Sequence, residues 1–264
     1  MTGPEAGERL RLAALAARLP EGRDGLLRWP EETGSTNTAL KDWADRGAPP
    51  GSVFLAERQT AGRGRMGRSF LSPPGGLYLS YLLRPSLPPE EVGEITAWTA
   101  VAVRRALGRC CGFRPEIKWV NDLLWQGRKL CGILCESVLH RGEVESLVLG
   151  IGVNVDAGEE DFPPELRRTA ASLRTVGAGV PDRAVLAAEL IRSLDEMAGE
   201  FPAAGETYWG EYRACCVTLG REVVLSDGGT AFAEELEKDF SLRLRLPDGE
   251  TRLLRSGEAT LHRE

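Results

Sequence analysis

The densest chemical signal is the stretch Ala56-Glu57-Arg58-Gln59-Thr60-Ala61-Gly62-Arg63-Gly64-Arg65-Met66-Gly67-Arg68. Its glycines free the backbone to turn N–H groups toward an anion, and Arg63, Arg65 and Arg68 add fixed positive charge. The same glycines spell G-x-G-x-x-G, a dinucleotide fingerprint that requires a helix N-terminus directly behind it to face a pyrophosphate. Ser72-Pro73-Pro74-Gly75-Gly76 follows instead, and no helix starts there. Two readings stay open, a mobile glycine–arginine surface loop or a phosphate-binding loop. Arginines alternating with glycines inside an acidic chain favour the second.

Three further motifs carry polar groups into apolar surroundings. Ile117-Lys118-Trp119-Val120-Asn121-Asp122 sets a lysine, an amide and a carboxylate beside a tryptophan. Lys118 would neutralise negative charge, Asn121 can donate and accept, and Asp122 would hold Mg²⁺ or orient a ligand. Against that, Asn-Asp is common at an ordinary strand end. Gly127-Arg128-Lys129-Leu130-Cys131-Gly132-Ile133-Leu134-Cys135-Glu136 opens an apolar run with Lys129 and contains Gly132, which permits close approach of a ligand or another backbone. A strand lysine more usually snorkels to solvent. In Leu149-Gly150-Ile151-Gly152-Val153-Asn154-Val155, the amide of Asn154 needs partners, either structural or the edge of an adenine.

The elements that must position these groups alternate. Leu12, Leu15, Ala16 and Leu19 share a helical face, so residues 8–19 read as an amphipathic helix closed by Pro20. Ser35–Ala44 reads as a helix capped by Ser35 or Thr36 with Leu40, Trp43 and Ala44 inward. Ser52–Ala56, Leu77–Leu83, Lys129–Glu136 and Ser146–Val155 are apolar runs of strand length. Val92, Ile95, Thr99, Ala102, Val103 and Ala106 keep helical spacing up to a Cys110–Cys111 turn, and a helix over 182–200 would bury Val185, Leu186, Leu190, Leu194 and Met197. After Cys216 come Glu222–Leu225, Ser241–Leu246, Thr251–Leu254 and Glu258–Leu261, with turns at Asp227-Gly228-Gly229 and Pro247-Asp248-Gly249. The expected architecture is α+β: a mixed sheet with helices on one side, followed by a small SH3-like β-barrel. The expected divisions are a helical extension over 1–25, a main domain over 26–215 and the barrel over 216–264.

Composition narrows the class. With 33 Lys and Arg against 39 Asp and Glu, the net charge of −6 argues against a broad footprint for duplex nucleic acid, so any anion site is local. The six cysteines include no C-x-x-C pair and only two histidines, His140 and His262, exist to complete a metal site, so the cysteines read as reduced thiols filling core space. Arg9, Arg11 and Arg18 interrupt what would be the apolar region of a secretory signal, and no run approaches the ~20 apolar residues of a spanning helix. A cytoplasmic protein without membrane or nucleic-acid partners is expected.

In order and separation, the motifs resemble the biotin–protein ligase family: S-T-N at Ser35-Thr36-Asn37, then Q-x-x-G-R-G-R-x-G-R from Gln59, L-Y-L-S from Leu77, K-W-x-N-D from Lys118, K-x-x-G-I-L from Lys129 and G-x-G-x-N ending at Asn154. The match runs from about Trp29 to Asn154 and is looser beyond. It implies the fold of the biotin ligase catalytic domain, related to the lipoate ligases, in a short form without an N-terminal DNA-binding domain. It further implies attachment of biotin to a lysine of a biotin carboxyl carrier domain of a biotin-dependent carboxylase, through biotinyl-5′-adenylate, with biotin, ATP and Mg²⁺ bound. By the resemblance, Ser35, Thr36 and Gln59 hydrogen-bond the ureido ring of biotin, with Asn37 beside them. Gly62, Arg63, Gly64, Arg65 and Arg68 fold over the ligand. Lys118 and Lys129 reach the phosphoryl and carboxyl region, with Arg65 as the third catalytic cation. Trp119, Asn121 and Asp122 assist the nucleotide, Asp122 being the candidate Mg²⁺ ligand for an ion otherwise held by ATP. Gly132 helps to wall the pocket, and Asn154 lies near the adenine. Two departures stand out: Val120 occupies a position where the family often has proline, and Ala231–Leu236 replaces the usual G-x-A-x-G-I-D stretch. A monomer and a homodimer are both compatible with the resemblance. A lipoate ligase or octanoyl transferase, a biotin-responsive repressor and a ligand-binding pseudoenzyme are the competing readings.

Overall fold

The computed structural model describes residues 4–85, 87–257 and 259–261. Helix α1 (Pro4–Ala16) starts earlier than its apolar spacing suggests and ends a turn before Pro20. Its Leu15 is fully buried, and Leu12, Ala16 and Leu19 pack on the same core, so the expected face is the buried one. Then follow β1 (Leu27–Arg28), β2 (Glu32–Thr33), α2 (Thr36–Asp45), β3 (Val53–Ala56), β4 (Arg58–Gln59), β5 (Leu77–Leu83), α3 (Val92–Cys111), β6 (Glu116–Lys118), β7 (Asp122–Trp125), β8 (Arg128–His140) and β9 (Glu143–Val153). Each expected apolar run is a strand. Strands β8 and β9 extend beyond their apolar centres into one long hairpin.

The main sheet has the order β1-β3-β5-β9-β8-β7-β6, parallel between β1 and β3 and antiparallel elsewhere. Strand β5 is buried along its whole length, because both of its faces are covered. Leu77, Leu79, Tyr81 and Leu83 join the large core, whereas Leu82 packs with Leu40 and Ala44 of α2. The long helices α3 and α4 (Arg183–Glu200) pack together on the first face. The short helix α2 covers part of the opposite face. A separate parallel pair, Glu32 with Arg58 and Thr33 with Gln59, brings the start of α2 beside Gln59.

Two local expectations are corrected. Val185 is exposed, since it lies one residue, roughly 100° of helix rotation, away from the Leu186-Leu190-Leu194-Met197 stripe that meets the core. Helix α5 (Gly205–Cys215) was not anticipated, because GETYWGEYRAC carries two glycines and few strong helix formers. Packing overrides that preference. Tyr208 stacks on Trp98 at 3.9 Å between ring centroids, and Tyr212 is fully buried.

The C-terminal part is a five-stranded antiparallel sheet: β10 (Glu222–Leu225), β11 (Thr230–Leu236), β12 (Leu242–Arg245), β13 (Thr251–Leu254) and β14 (Ala259–Leu261), in the order β13-β12-β11-β10-β14. Its hairpins turn on Gly228 (φ 84°) and Gly249 (φ 88°), as the Asp-Gly pairs require. The sequence reading expected the last strand to begin at Glu258, which lies outside the described residues. Strand β11 is the segment that departs from the family pattern. A bulge between Ala233 and Glu235 breaks its alternation, which hid it from a period-of-two reading. The two sheets share one core, and the Trp119 indole N–H donates to the Phe240 carbonyl at 2.9 Å across their junction.

None of the six cysteines is in a disulfide. Burial pushes the Cys111 and Cys135 thiols up to about 12, so both stay protonated at neutral pH. Among the described residues no helix is long and apolar enough to cross a membrane.

Candidate active site

The site is laid out by strand register. Across the sheet, Ala56, Tyr78, Gly152, Gly132, Asp122 and Lys118 are successive partners. Directly paired antiparallel residues project to the same face, so this row sets two glycines between Tyr78 and the Asp122–Lys118 pair. The neighbouring row is Ser80, Gly150 and Leu134. Both rows lie on the α2 side, since Leu149, Ile151 and Val153 point into the core beneath α3 and α4. Glycine at these positions opens a slot that other side chains fill. A Cβ on Gly150 would lie 2.3 Å from Asn37 Oδ1, and one on Gly152 would lie 2.5 Å from the Phe70 ring. One on Gly132 would lie 2.9 Å from Lys129 Cε and 3.0 Å from Phe70.

Above Gly150 sits the first turn of α2. Ser35 occupies the N-cap position but its side chain does not cap the helix, a correction to the sequence expectation. Gln59 does so from a distant strand: its Oε1 accepts from Thr36 N at 2.8 Å and from Thr36 Oγ1 at 3.1 Å. The Gln59 Nε2 donates to Ser72 Oγ at 2.8 Å, and Ser72 donates to the Phe70 carbonyl at 3.0 Å. Asn37 Nδ2 donates to Glu136 Oε2 at 2.8 Å and to the Leu134 carbonyl at 3.2 Å. The Ser80 hydroxyl donates to Asn37 Oδ1 at 2.5 Å and lies 2.8 Å from Thr36 Oγ1. Ser35, Thr36 and Asn37 are all buried.

The glycine–arginine segment is a folded turn. Arg63 bridges to Ser69, Gly64 N donates to Arg68 O at 2.7 Å, and Met66 and Gly67 take the left-handed conformation at the tip. The Gly64 N–H is therefore used inside the turn and does not point at an anion, as the sequence reading expected. Gly62 is required for packing instead. A Cβ there would stand 2.3 Å from the Phe70 carbonyl. Arg63 Nη2 reaches Glu136 Oε1 at 2.8 Å, and the same oxygen accepts from Lys41 Nζ at 2.8 Å. Burial works to raise the Glu136 pKa, but hydrogen bonds from Lys41 and Asn37 and the charges of Lys41 and Arg63 outweigh it and hold the carboxyl below its ordinary value. Arg65 Nη1 donates to Asn121 Oδ1 at 2.9 Å.

Lys129 does not snorkel. Its Nζ lies 2.7 Å from Asp122 Oδ1 and 5.7 Å from the centre of the Phe70 ring, which turns it back over Gly132. Asn121 Nδ2 donates to the Ile133 carbonyl at 3.0 Å, so the amide braces β8 while its oxygen holds Arg65. Trp119 is only 3% exposed, with its N–H engaged at the sheet junction, so the indole belongs to the fold more than to a ligand. The Trp119–Val120 peptide is cis.

These side chains line three adjoining recesses. The first is walled by Ser35, Thr36, Asn37 and Gln59, by Arg63, Arg65, Asn121 and Lys129, and by the glycine slot. The second adds Arg68, Lys118, Trp119 and Asp122, and the third is formed by Asn154, Phe162, Leu166 and Thr169. Asn154 Nδ2 donates to the Ala171 carbonyl at 2.9 Å, tying this third wall to the end of β9. Phe70 and Lys129 border all three recesses. Phe70, Glu136 and Lys41 were missed by sequence reasoning. The facing glycines of β8 and β9, which leave room for a ring, were the one signal available for Phe70. Among the described residues no group of three His, Cys, Asp or Glu side chains is placed to hold a metal ion.

Comparison with known proteins gives concordant matches. The profile of the Biotin/lipoate A/B protein ligase family matches residues 29–154. The biotin–[acetyl-CoA-carboxylase] ligase of Mycobacterium tuberculosis is 34% identical over 198 residues, covering 73% of this chain and 71% of that protein. The bifunctional ligase/repressor BirA of Bacillus subtilis is 36% identical over 210 residues, covering 78% of this chain, which spans only 64% of that relative's length. Among solved structures, the biotin protein ligase from Aquifex aeolicus in complex with biotin and ATP superposes with a TM-score of 0.76 at 29% identity, over 90% of this chain and 99% of that one.

Proposed function

The chain belongs to the Biotin/lipoate A/B protein ligase family, and from that premise we propose that it is a biotin–protein ligase acting through biotinyl-5′-adenylate. A carboxylate oxygen of biotin attacks the α-phosphorus of ATP, and pyrophosphate leaves. The ε-amine of a lysine on a carboxylase carrier domain then attacks the mixed-anhydride carbonyl, and AMP departs with the bonding electrons as the amine loses its proton.

The observation that carries this reading is the order of polarity along the first recess. Its α2 end, over Gly150, is neutral and polar, with Ser35, Thr36, Asn37 and Gln59. The slot of Gly132, Ile133, Gly150 and Gly152 is apolar, and two residues further along β9, roughly 7 Å, stand Lys129 and, held by Asn121, Arg65. Biotin has the same order: a ureido ring, an aliphatic chain and a carboxylate. The second recess, with Arg65, Arg68, Lys118 and Lys129, suits the phosphates, and the third, with Asn154 and Phe162, suits the adenine. The residues around Asp122 do not fit a resident Mg²⁺ site, since that lone carboxylate is already paired with Lys129. Magnesium would arrive on the triphosphate.

The chain's own contribution is positioning and charge. Arg65, Lys118 and Lys129 neutralise the phosphates as the carboxylate approaches. The arginine turn shields the anhydride from water. No protein nucleophile is required. We assign residues 26–215 to the catalytic unit and 216–264 to the appended β-sheet.

The direct test is acid-dependent ATP–pyrophosphate exchange with biotin, lipoate and octanoate in parallel. Exchange with biotin alone is expected. Exchange with lipoate instead would move the chain to the lipoate branch of the family, and silence with all three would overturn adenylation.

A further inference from the structure

Arg63 opens the turn and is half-exposed, yet it is held by a carboxylate that is mostly buried on β8. That carboxylate, Glu136, has two other partners that do not depend on the turn: Lys41 of α2 on Oε1 and Asn37 on Oε2. A buried carboxylate with no partner is costly, and a carboxylate that keeps its other partners when one leaves is not. Glu136 can therefore release Arg63 without being stranded, which makes the Arg63 contact reversible and the Lys41 contact the resident one.

The same carboxylate reaches the ligand-facing turn of α2 through one intermediary. Asn37 joins Glu136 to Ser80, and Ser80 lies against Thr36, which Gln59 caps. Gln59 in turn bonds Ser72, at the far end of the arginine segment. The segment 60–71 is thus tethered at its entry by Gln59, at its exit by Ser72 and at the base of its turn by Glu136, all through one connected set of hydrogen bonds. Hydrogen-bonded sets of this kind stiffen together and loosen together.

We propose that Glu136 is a positioning residue that latches the arginine turn closed through Arg63 and couples that closure to the polar first turn of α2. Its place in the reaction rests on the biotin-ligase reading above; the latch itself does not. Closing the turn with Arg63 on Glu136 leaves Arg65 and Lys129 facing the recess. Losing the latch frees the turn and shortens the residence of the adenylate, and Glu136→Gln does so without removing any group that lines the recess.

The test uses the full chain with Glu136→Gln, Arg63→Gln and the double variant. The first readout needs no ligand: the rate of tryptic cleavage after Arg65 and Arg68 in the folded protein, at low salt and at 1 M salt. Each single variant is expected to be cut roughly threefold to tenfold faster than the unaltered chain at low salt, as loss of one partly exposed charge-assisted pair predicts. The double variant is expected to be no faster than either single one, and salt is expected to accelerate only the unaltered chain. Cleavage of Glu136→Gln at the unaltered rate, or effects of the two substitutions that multiply, would overturn the latch. Arg63→Gln guards against misfolding, since that side chain lies at the surface and melting should not change. The second readout is dissociation of biotinyl-adenylate, expected to quicken by a similar factor in both single variants. If the unaltered chain makes no adenylate, the functional reading fails while the proteolysis still decides the latch.

Discussion

The guanidinium of Arg65 and the side-chain amide of Asn121 are hydrogen-bonded at 2.9 Å, and the second Nη of Arg65 donates to the Gly257 carbonyl of the C-terminal sheet at 3.0 Å. One arginine therefore ties the turn over the recess to the strand hairpin below it and to the appended sheet beyond. Replacing Asn121 with Ala removes one anchor and leaves the Ile133 carbonyl without its donor. Release of the adenylate should quicken by about tenfold, the effect of losing one charge-assisted hydrogen bond. Stopped-flow displacement would read it, and dissociation at the unaltered rate would separate Asn121 from the turn.

Gly152→Ala should open the turn without unfolding the protein. The new methyl would stand 2.5 Å from the Phe70 ring, which must leave its place over the slot. Biotin affinity should fall by about tenfold or more, while melting shifts by only a few degrees, the scale of ~1 kcal/mol in a chain of this size. Titration calorimetry and a thermal melt on the same sample would settle both halves.

Lys129→Ala should lower the rate of adenylation by more than about tenfold, since a cation placed at developing phosphate charge is commonly worth a few kcal/mol. It also removes the cation paired with Asp122 at 2.7 Å and leaves that carboxylate the Asn121 amide at 3.2 Å. Pairing it with Asp122→Asn separates the two effects. The double variant should regain stability but not exchange activity, and recovery of both would make the lysine a structural partner only.

Removing residues 217–264 should abolish cooperative folding as well as activity. Ile117 and Trp119 are buried against the lost segment, Val217 N donates to the Ile117 carbonyl at 2.9 Å, and Trp119 N donates to Thr218 Oγ1 at 2.9 Å. A milder probe is Trp119→Phe, which leaves the Phe240 carbonyl unpaired and should cost about 1–3 kcal/mol in chemical denaturation. A truncated chain that melts cooperatively and sustains exchange would refute the shared core.

Acid should loosen α5 from α3. The hydrogen bond from Arg105 holds the Glu211 carboxyl below its ordinary value against burial. A depressed folded-state value means the pair stabilises the fold above the ordinary glutamate range, near pH ~4.3, and that this contribution is lost as pH falls through the lowered value. The melting difference between the native chain and Glu211→Gln should be present at pH 6 and shrink on acidification. A difference that grows toward low pH would reverse the assignment.

Much was legible from local order. Apolar runs and helical spacings located the four central strands β3, β5, β9 and β8, both long core helices and the two Asp-Gly hairpins, because burial of one face imprints a period on the chain; the short β4, β6 and β7 carry no such run. The polar residues that meet in the recess were legible for a related reason: Lys118, Lys129 and Asn154 are unusual in apolar strands. What a linear reading missed has one cause, namely that side-chain partners are chosen by register and by packing between distant segments. Gln59 caps a helix that begins twenty-three residues earlier. Val185 faces solvent because α4 presents a neighbouring stripe to the sheet. Strand β11 hides behind a bulge, and α5 forms because Tyr208 finds Trp98. Above all, Gly132 and Gly152 are twenty residues apart in the chain and directly opposite in the sheet, and only that pairing opens the slot that Phe70 and Lys129 border. Residue types and their spacing determined which chemistry this protein carries; the register of one antiparallel sheet decided which groups touch, because a shift of one residue would turn every one of them to the other face.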